Sequence, residues 1–226
     1  MAEIIVALDL ASTRQALALV DSLSGLRWVK VGPTLFVEGG PALLRELKGR
    51  SLKVFLDLKW HDIPHQVSGA SAAAAAAGAD LATVHALGGM EMMRAAAGAA
   101  APMRLVAVTV LTSHTPASYG AAIGRDGQPD VAAEVARLAR QAMEAGLDGV
   151  VASPLEIGVV RSLVRSGGWI VVPGIRPAGS ETGDQQRTAE PAAAVRAGAT
   201  HLVVGRPITQ AREPVAVFEA LCQAAS

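Results

Sequence analysis

Eight short runs rich in Val, Ile and Leu recur along the chain: "EIIVALDL", "RWVKVG", "LKVFLDLK", "DLATVHAL", "RLVAVTVLTS", "DGVVASP", "WIVVPGIRP" and "HLVVGRPI". Segments with helical spacing separate them, among them residues 13–23, 42–47, 67–77, 131–145, 155–164 and 189–197. Near-continuous apolar strands are buried on both faces, and their alternation with helices makes the connections parallel crossovers. Eight such units within 226 residues predict a closed (β/α)8 TIM barrel, with a doubly wound open sheet as the alternative. "AGAD", "AGLD" and "AGAT" each end a helix before the next strand, and no Pro-, Ser- or charge-rich linker divides the chain. One catalytic domain over residues 1–226 is expected.

A chain that is 51% hydrophobic and 18% charged can fill one large core. The alanine-rich stretch "GASAAAAAAGAD" at 69–80 reads as a helix pressed closely onto a neighbouring sheet. Twenty basic and twenty acidic residues cancel, which removes the electrostatic footprint of a nucleic-acid binder or a partner of anionic membrane. The single cysteine, Cys222, cannot form an internal disulfide or a cysteine metal cluster. No export signal or membrane-spanning run is read at the N-terminus or elsewhere, so a cytoplasmic protein is expected.

In a barrel of this kind the chemistry gathers where strands end. Asp9 ends the first run, Lys30 lies near the end of the second, Asp57 and Lys59 end the third, and His85 the fourth. Thr112 and Ser113 end the fifth, Arg176 follows the seventh, and Gly205 with Arg206 ends the eighth. Strand alternation puts Asp57 and Lys59 on one side, with Leu58 facing away. A lysine among two carboxylates and a second lysine is held protonated, as a positioned proton donor and a stabiliser of carbanion charge. The competing reading is a buried ion-pair network that closes the barrel mouth. Gly205 allows close approach of backbone N–H groups to an anion, and Arg206 offers a fork of donors suited to phosphate. The long polar loop after the seventh run has the character of a lid.

"DLKWHDIP" at 57–64 resembles the Asp-x-Lys-x-x-Asp-Ile-Pro signature of the orotidine 5'-phosphate decarboxylase family. The resemblance continues in order through "ALD" at 7–9, "KVG" at 30–32, "VTVLTS" at 108–113, "PGIRPAGSETGDQ" at 173–185 and "VGRPIT" at 204–209. It implies a homodimer that decarboxylates orotidine 5'-phosphate to UMP, the last step of de novo pyrimidine nucleotide synthesis; with no metal-ligand cluster or cofactor motif visible in the sequence, neither a metal nor a cofactor is expected. Carried over by position, it implies that Asp9 and Lys30 meet the ribose hydroxyls, that Lys59 protonates C6, and that Asp57 sits beside the departing carboxylate. Asp62 and Ile63 reach the neighbouring subunit's site. Thr112 and Ser113 meet the pyrimidine edge, while Arg176, Gln185, Gly205 and Arg206 hold the phosphate. His65 and Gln66 stand where the family usually has Asn-Thr, which bears on a hydroxyl contact near the ribose. His61 and His65 read as loop histidines near the dimer interface, with a metal pair as the alternative, and His85 reads as a core or supporting residue. A magnesium-dependent sugar-phosphate lyase shares Asp-x-Lys-x-x-Asp but not the "HDIP" and "PGIRP" continuations. A triosephosphate isomerase needs a lysine where Asp9 stands, and the intact Asp57, Lys59 and Asp62 argue against a barrel that has lost catalysis.

Overall fold

The computed structural model describes residues 2–176 and 187–225. Eight parallel strands form a closed barrel in sequence order: β1 (Glu3–Ala7), β2 (Trp28–Val31), β3 (Lys53–Trp60), β4 (Leu81–His85), β5 (Arg104–Val108), β6 (Gly149–Val151), β7 (Trp169–Val172) and β8 (His201–Val204). Because β1 pairs with both β2 and β8, the sheet has no edge, and the open-sheet alternative is excluded. The helices are α1 (Thr13–Ser22), α2 (Pro33–Gly49), α3 (Pro64–Ala76), α4 (Gly89–Ala99), α5 (Pro116–Ala122), α6 (Val131–Glu144), α7 (Ile157–Arg161), α8 (Pro191–Ala197), α9 (Arg206–Thr209) and α10 (Pro214–Ala224). None of them is long and apolar enough to cross a membrane.

Alternation along the strands sorts their side chains into two cores. Ile5, Ala7, Trp28, Phe55, Leu81, Val106, Val171 and Val203 fill the barrel interior. Their neighbours, such as Ile4, Val6, Val29, Val54 and Leu56, face outward and pack under the helices. On α6, Asp130 caps the N-terminus by accepting from the Ala133 amide, and Val135, Leu138, Ala139 and Ala142 are its buried apolar stripe. The 42–47 segment is the second part of the longer α2, which kinks at Gly40, φ +53°, ahead of Pro41. The alanine-rich α3 approaches α4, itself rich in alanine, most closely, while its buried Val67 and Ala74 join the core that includes Val54, Leu56, Ala82 and Val84 of the sheet.

At the N-terminal end of the barrel one latch occurs three times. The Val54 amide donates to Asp80 Oδ2 at 2.8 Å, and the Asp80 amide returns a bond to the Val54 carbonyl at 2.9 Å. Leu105 and Asp148 make the same exchange at 2.9 and 2.8 Å, as do Ile170 and Thr200 Oγ1 at 2.9 and 3.0 Å. Each latch follows a glycine in the left-handed region, Gly78, Gly146 or Gly198, with φ of +97°, +88° and +108°. These are the glycines of "AGAD", "AGLD" and "AGAT", ending helices where a side chain would be strained. The same end is plugged by Trp28, Trp169 and His201, whose rings stand 4.2 to 5.7 Å apart. Lys53 lies over the Trp28 ring and Arg104 over that of Trp169.

Candidate active site

At the opposite end, the uppermost inward positions change from apolar to charged. Trp28 is followed two residues on by Lys30, and Phe55 by Asp57, so the same alternation that builds the core lifts ionisable groups into the mouth. There they form a row of alternating sign. Lys30 Nζ is 2.8 Å from Asp9 Oδ1 and 3.5 Å from Asp57 Oδ2, and Lys59 Nζ is 3.0 Å from Asp57 Oδ1. Lys30 and Asp57 are buried, Lys59 is partly exposed and Asp9 is open to solvent.

Burial alone would raise the Asp57 carboxyl pKa. The charges of Lys30 and Lys59, with hydrogen bonds from Lys59 and Thr83, outweigh that effect and hold it below the ordinary carboxylate value. Asp57 is therefore ionised at neutral pH, between two cations. His85, at the end of β4, is driven down to about 4 by burial first, then by His61, Lys59 and His114. It is neutral beside Lys59, and its Nδ1 accepts from the Leu87 amide at 3.3 Å.

Asp57 and Lys59 come together by a route that simple alternation does not describe. Leu56 pairs with Ala82 and Trp60 with Val84, so three residues of β3 stand opposite Thr83 alone. Within this bulge Lys59 takes φ +51°, a left-handed conformation that costs a non-glycine residue roughly 1 kcal/mol or more. Thr83 is fully buried; its Oγ1 donates to Asp57 Oδ1 at 3.0 Å and accepts from the Lys59 amide at 2.8 Å.

The charged row forms one wall of a cavity of about 550 Å³. Ala7, Phe55, Val108, Val151, Val171 and Val203 make an apolar floor, and Val110, Leu111, Thr112, Ser113, Ala152, Pro173, Gly174, Arg176, Gly205, Arg206 and Gln210 complete the lining. Thr112 and Ser113 belong to the loop beyond β5, which ends at Val108 rather than continuing to Ser113. Arg176 is buried, with Nη1 2.9 Å from the Ile175 carbonyl, and its position after β7 is fixed by a bridge between Ile175 and Ala189. Gly205 and Arg206 open α9 directly after β8. Cationic donors thus stand near the β7 and β8 ends, and the lysine–carboxylate row spans β1 to β3. Gln185 lies outside the described residues.

The Asp62–Ile63 pair and the histidines singled out in the sequence, His61, His65 and His85, are not in this cavity. Asp62 and Ile63 are exposed on the loop after β3, Ile63 with 62% of its surface accessible, and Asp62 Oδ1 accepts from the Ile63 amide at 2.6 Å. His61 stacks on His85 with ring centroids 5.7 Å apart, while His65 and Gln66 are exposed. Among the described residues there is no group of three or more His, Cys, Asp and Glu side chains placed to hold a metal ion.

Thr83, Gly32 and Gln210 were not anticipated. Thr83 had a legible signal, since it follows Leu81 by two and so shares its inward face. Gly32, the residue after β2, is bounded by Asp9 and Lys30.

The closed barrel and the polar groups converging at its strand C-termini define the class as a (β/α)8-barrel enzyme. Residues 2–221 match the model of the Orotidine 5'-phosphate decarboxylase / HUMPS family, and the chain belongs to that family. It is 53% identical over 194 residues to the orotidine 5'-phosphate decarboxylase of Anaeromyxobacter dehalogenans, covering 85% of this chain and 84% of that one. Identity to the enzyme of the same name from Alkalilimnicola ehrlichii is 51%, over 96% and 94% of the two chains. Among solved structures, orotidine 5'-phosphate decarboxylase from Lactobacillus acidophilus superposes with a TM-score of 0.86 at 35% identity, covering 100% of both chains.

Proposed function

We propose that this protein converts orotidine 5'-phosphate to UMP and CO2, with Lys59 as the proton donor to C6 and no metal or cofactor. The observation that carries this reading is the row Asp9–Lys30–Asp57–Lys59 over an apolar floor, with Arg206 lining the same cavity. Loss of CO2 from C6 leaves a vinyl-type carbanion that the pyrimidine ring cannot readily delocalise. A fixed ammonium group beside a water-poor floor stabilises such charge as it develops and then supplies the proton. Asp9 and Lys30 are assigned to the ribose hydroxyls, Asp57 to the vicinity of the departing carboxylate, Thr112 and Ser113 to the pyrimidine edge, and Arg176, Gln185, Gly205 and Arg206 to the phosphate. Binding energy from that remote phosphate is available to order the reacting end.

A carboxylate already matched to a lysine at 2.8 to 3.5 Å is poorly disposed to take a divalent cation as well, which favours the metal-free reading over that of a magnesium-dependent sugar-phosphate lyase. The names of the relatives favour it too, since those just described are decarboxylases of orotidine 5'-phosphate. One catalytic domain is inferred from strands spanning residues 3–204 in a single sheet.

The exposure of Asp62 and Ile63 supports a homodimer in which this pair completes the partner's site. Both side chains stand open to solvent on the loop after β3, where a neighbouring subunit could meet them. A cytoplasmic location fits a nucleotide-synthesis enzyme with one cysteine. Incubation with orotidine 5'-phosphate, following the ultraviolet change as UMP forms, tests the assignment. Activity is expected to persist after dialysis against EDTA, whereas loss restored by magnesium would transfer the protein to the lyase group.

A further inference from the structure

The bulge in β3 raises a question that the charged row does not answer: what keeps Lys59 in its left-handed conformation. Three residues opposite one leave a backbone amide without a ladder partner, and a buried N–H left unpaired is costly. The Lys59 amide finds its acceptor in the Thr83 hydroxyl, 2.8 Å away, rather than in a backbone carbonyl of β4. That hydroxyl has one proton, and the ionised Asp57 can only accept, so its direction is settled: it donates to Asp57 Oδ1 at 3.0 Å and accepts from Lys59. Asp57 Oδ1 also receives Lys59 Nζ at 3.0 Å, which closes a ring through Thr83, the Lys59 backbone, the Lys59 side chain and Asp57. Thr83 is fully buried, so water does not compete for either bond.

We propose that Thr83 is a positioning residue for the decarboxylation, its hydroxyl holding the Lys59 backbone and the Asp57 carboxylate in one fixed relation. This rests on the reading of Lys59 as proton donor. The hydroxyl touches no substrate in this account. It acts through the two residues that do.

Valine keeps the shape of threonine and deletes the hydroxyl, while serine keeps the hydroxyl and deletes the methyl. Thr83→Val and Thr83→Ala are expected to lower kcat about 100-fold, the loss that misplacement of a reacting group by an ångström produces. KM is expected to stay within about threefold of wild type, because phosphate and ribose contacts are untouched. Thr83→Ser is expected to retain kcat within about fivefold, the missing methyl causing only local loosening. A Thr83→Val protein with wild-type kcat overturns the proposal. So does Thr83→Ser falling as far as Thr83→Val, which would make the methyl's packing the operative feature. If Thr83→Val does not fold, the Ala and Ser proteins decide the same question. Crystal structures of the wild type and the variant give a readout independent of turnover, with Lys59 expected to leave φ near +51° once the hydroxyl is gone. Should the wild type form no UMP, the decarboxylase reading fails on its own, and retention of that φ in a folded Thr83→Val protein would still refute the positioning role.

Discussion

A Cβ built on Gly32 would stand 3.0 Å from Oδ1 of Asp9 and 3.3 Å from Nζ of Lys30. The backbone φ of Gly32 is −91°, which any residue adopts, so the constraint here is space. The bare backbone lets the first ion pair of the row close beside the turn into α2. Gly32→Ala is expected to displace Asp9 or Lys30 by a few tenths of an ångström and weaken the hold on the ribose proposed for them. A weakening of about 1 kcal/mol raises KM roughly fivefold to tenfold. The helix cap loses at most about 1 kcal/mol, so the thermal midpoint moves little. Steady-state kinetics of the folded variant decide it, and an unchanged KM would show that Asp9 yields without consequence.

Lys59 and Arg206 line one cavity but are assigned to different stages of the reaction. Charge at C6 appears only on the way to the transition state, whereas a phosphate is present throughout. Lys59→Ala is expected to lower kcat by about 1000-fold or more while leaving affinity for UMP near wild type. Arg206→Ala is expected to raise KM by about tenfold to 100-fold, the equivalent of one charge-assisted hydrogen bond. Near-normal turnover by Lys59→Ala would remove the proposed proton donor.

The exposure of Asp62 invites a complementation experiment. When Lys59→Ala and Asp62→Ala chains are co-unfolded and refolded together, a shared-site dimer assembles one site with both lesions and one with neither. Random pairing of equal amounts makes half the dimers mixed, each with one intact site of two. Recovery should approach about a quarter of wild-type activity for a twofold-symmetric dimer. A mixture no more active than its nearly inactive parents, with heterodimers verified by mass, would put Asp62 in its own subunit's site.

His201 is buried between Trp28 and Trp169, and burial first, then Lys53 and Arg104, lowers its pKa to about 4. An unfolded chain protonates this histidine near its ordinary value of 6.5. Between those values the unfolded state binds the extra proton, so stability is full above about pH 6.5 and is lost as pH falls toward 4. His85 contributes in the same direction over the same window. Denaturant unfolding of wild type and His201→Phe at pH 7.5 and 4.5 should show the variant losing less on acidification, by on the order of 2 kcal/mol. Equal losses would mean that His201 is accessible to protons in the folded state.

Architecture was legible because it depends on features the sequence states directly. Eight apolar runs and their punctuating glycines mark the strands and helix ends, and eight polar residues at or just beyond the run ends, with Gly205, anticipate members of the cavity lining, His85 being the exception. What was hidden depends on exceptions to periodicity. The strict alternation that places Asp57 and Lys59 side by side holds only until Leu56, after which the bulge and the left-handed Lys59 deliver the ammonium by another path. Nothing in "FLDLKW" announces this, since no glycine marks the turn. Gly32 is equally silent, its smallness serving Lys30 two residues back and Asp9 beyond the end of the neighbouring strand. In the sequence, Asp62 carries no sign of a second subunit apart from the family resemblance.

The threefold latch at the far end of the barrel has a meaning beyond holding strands together. Slipping a strand by one position would turn every inward side chain outward. In β3 the latched residue is Val54, and Asp57 follows three positions later, so the bond to Asp80 sets the phase in which β3 arrives at the mouth. Asp148 does the same for β5, and Thr200 for β7. The chemistry at one rim is thus indexed by hydrogen bonds at the other, and an Asp80 side chain that never meets the cavity helps decide that an aspartate, rather than its leucine neighbour, faces into it.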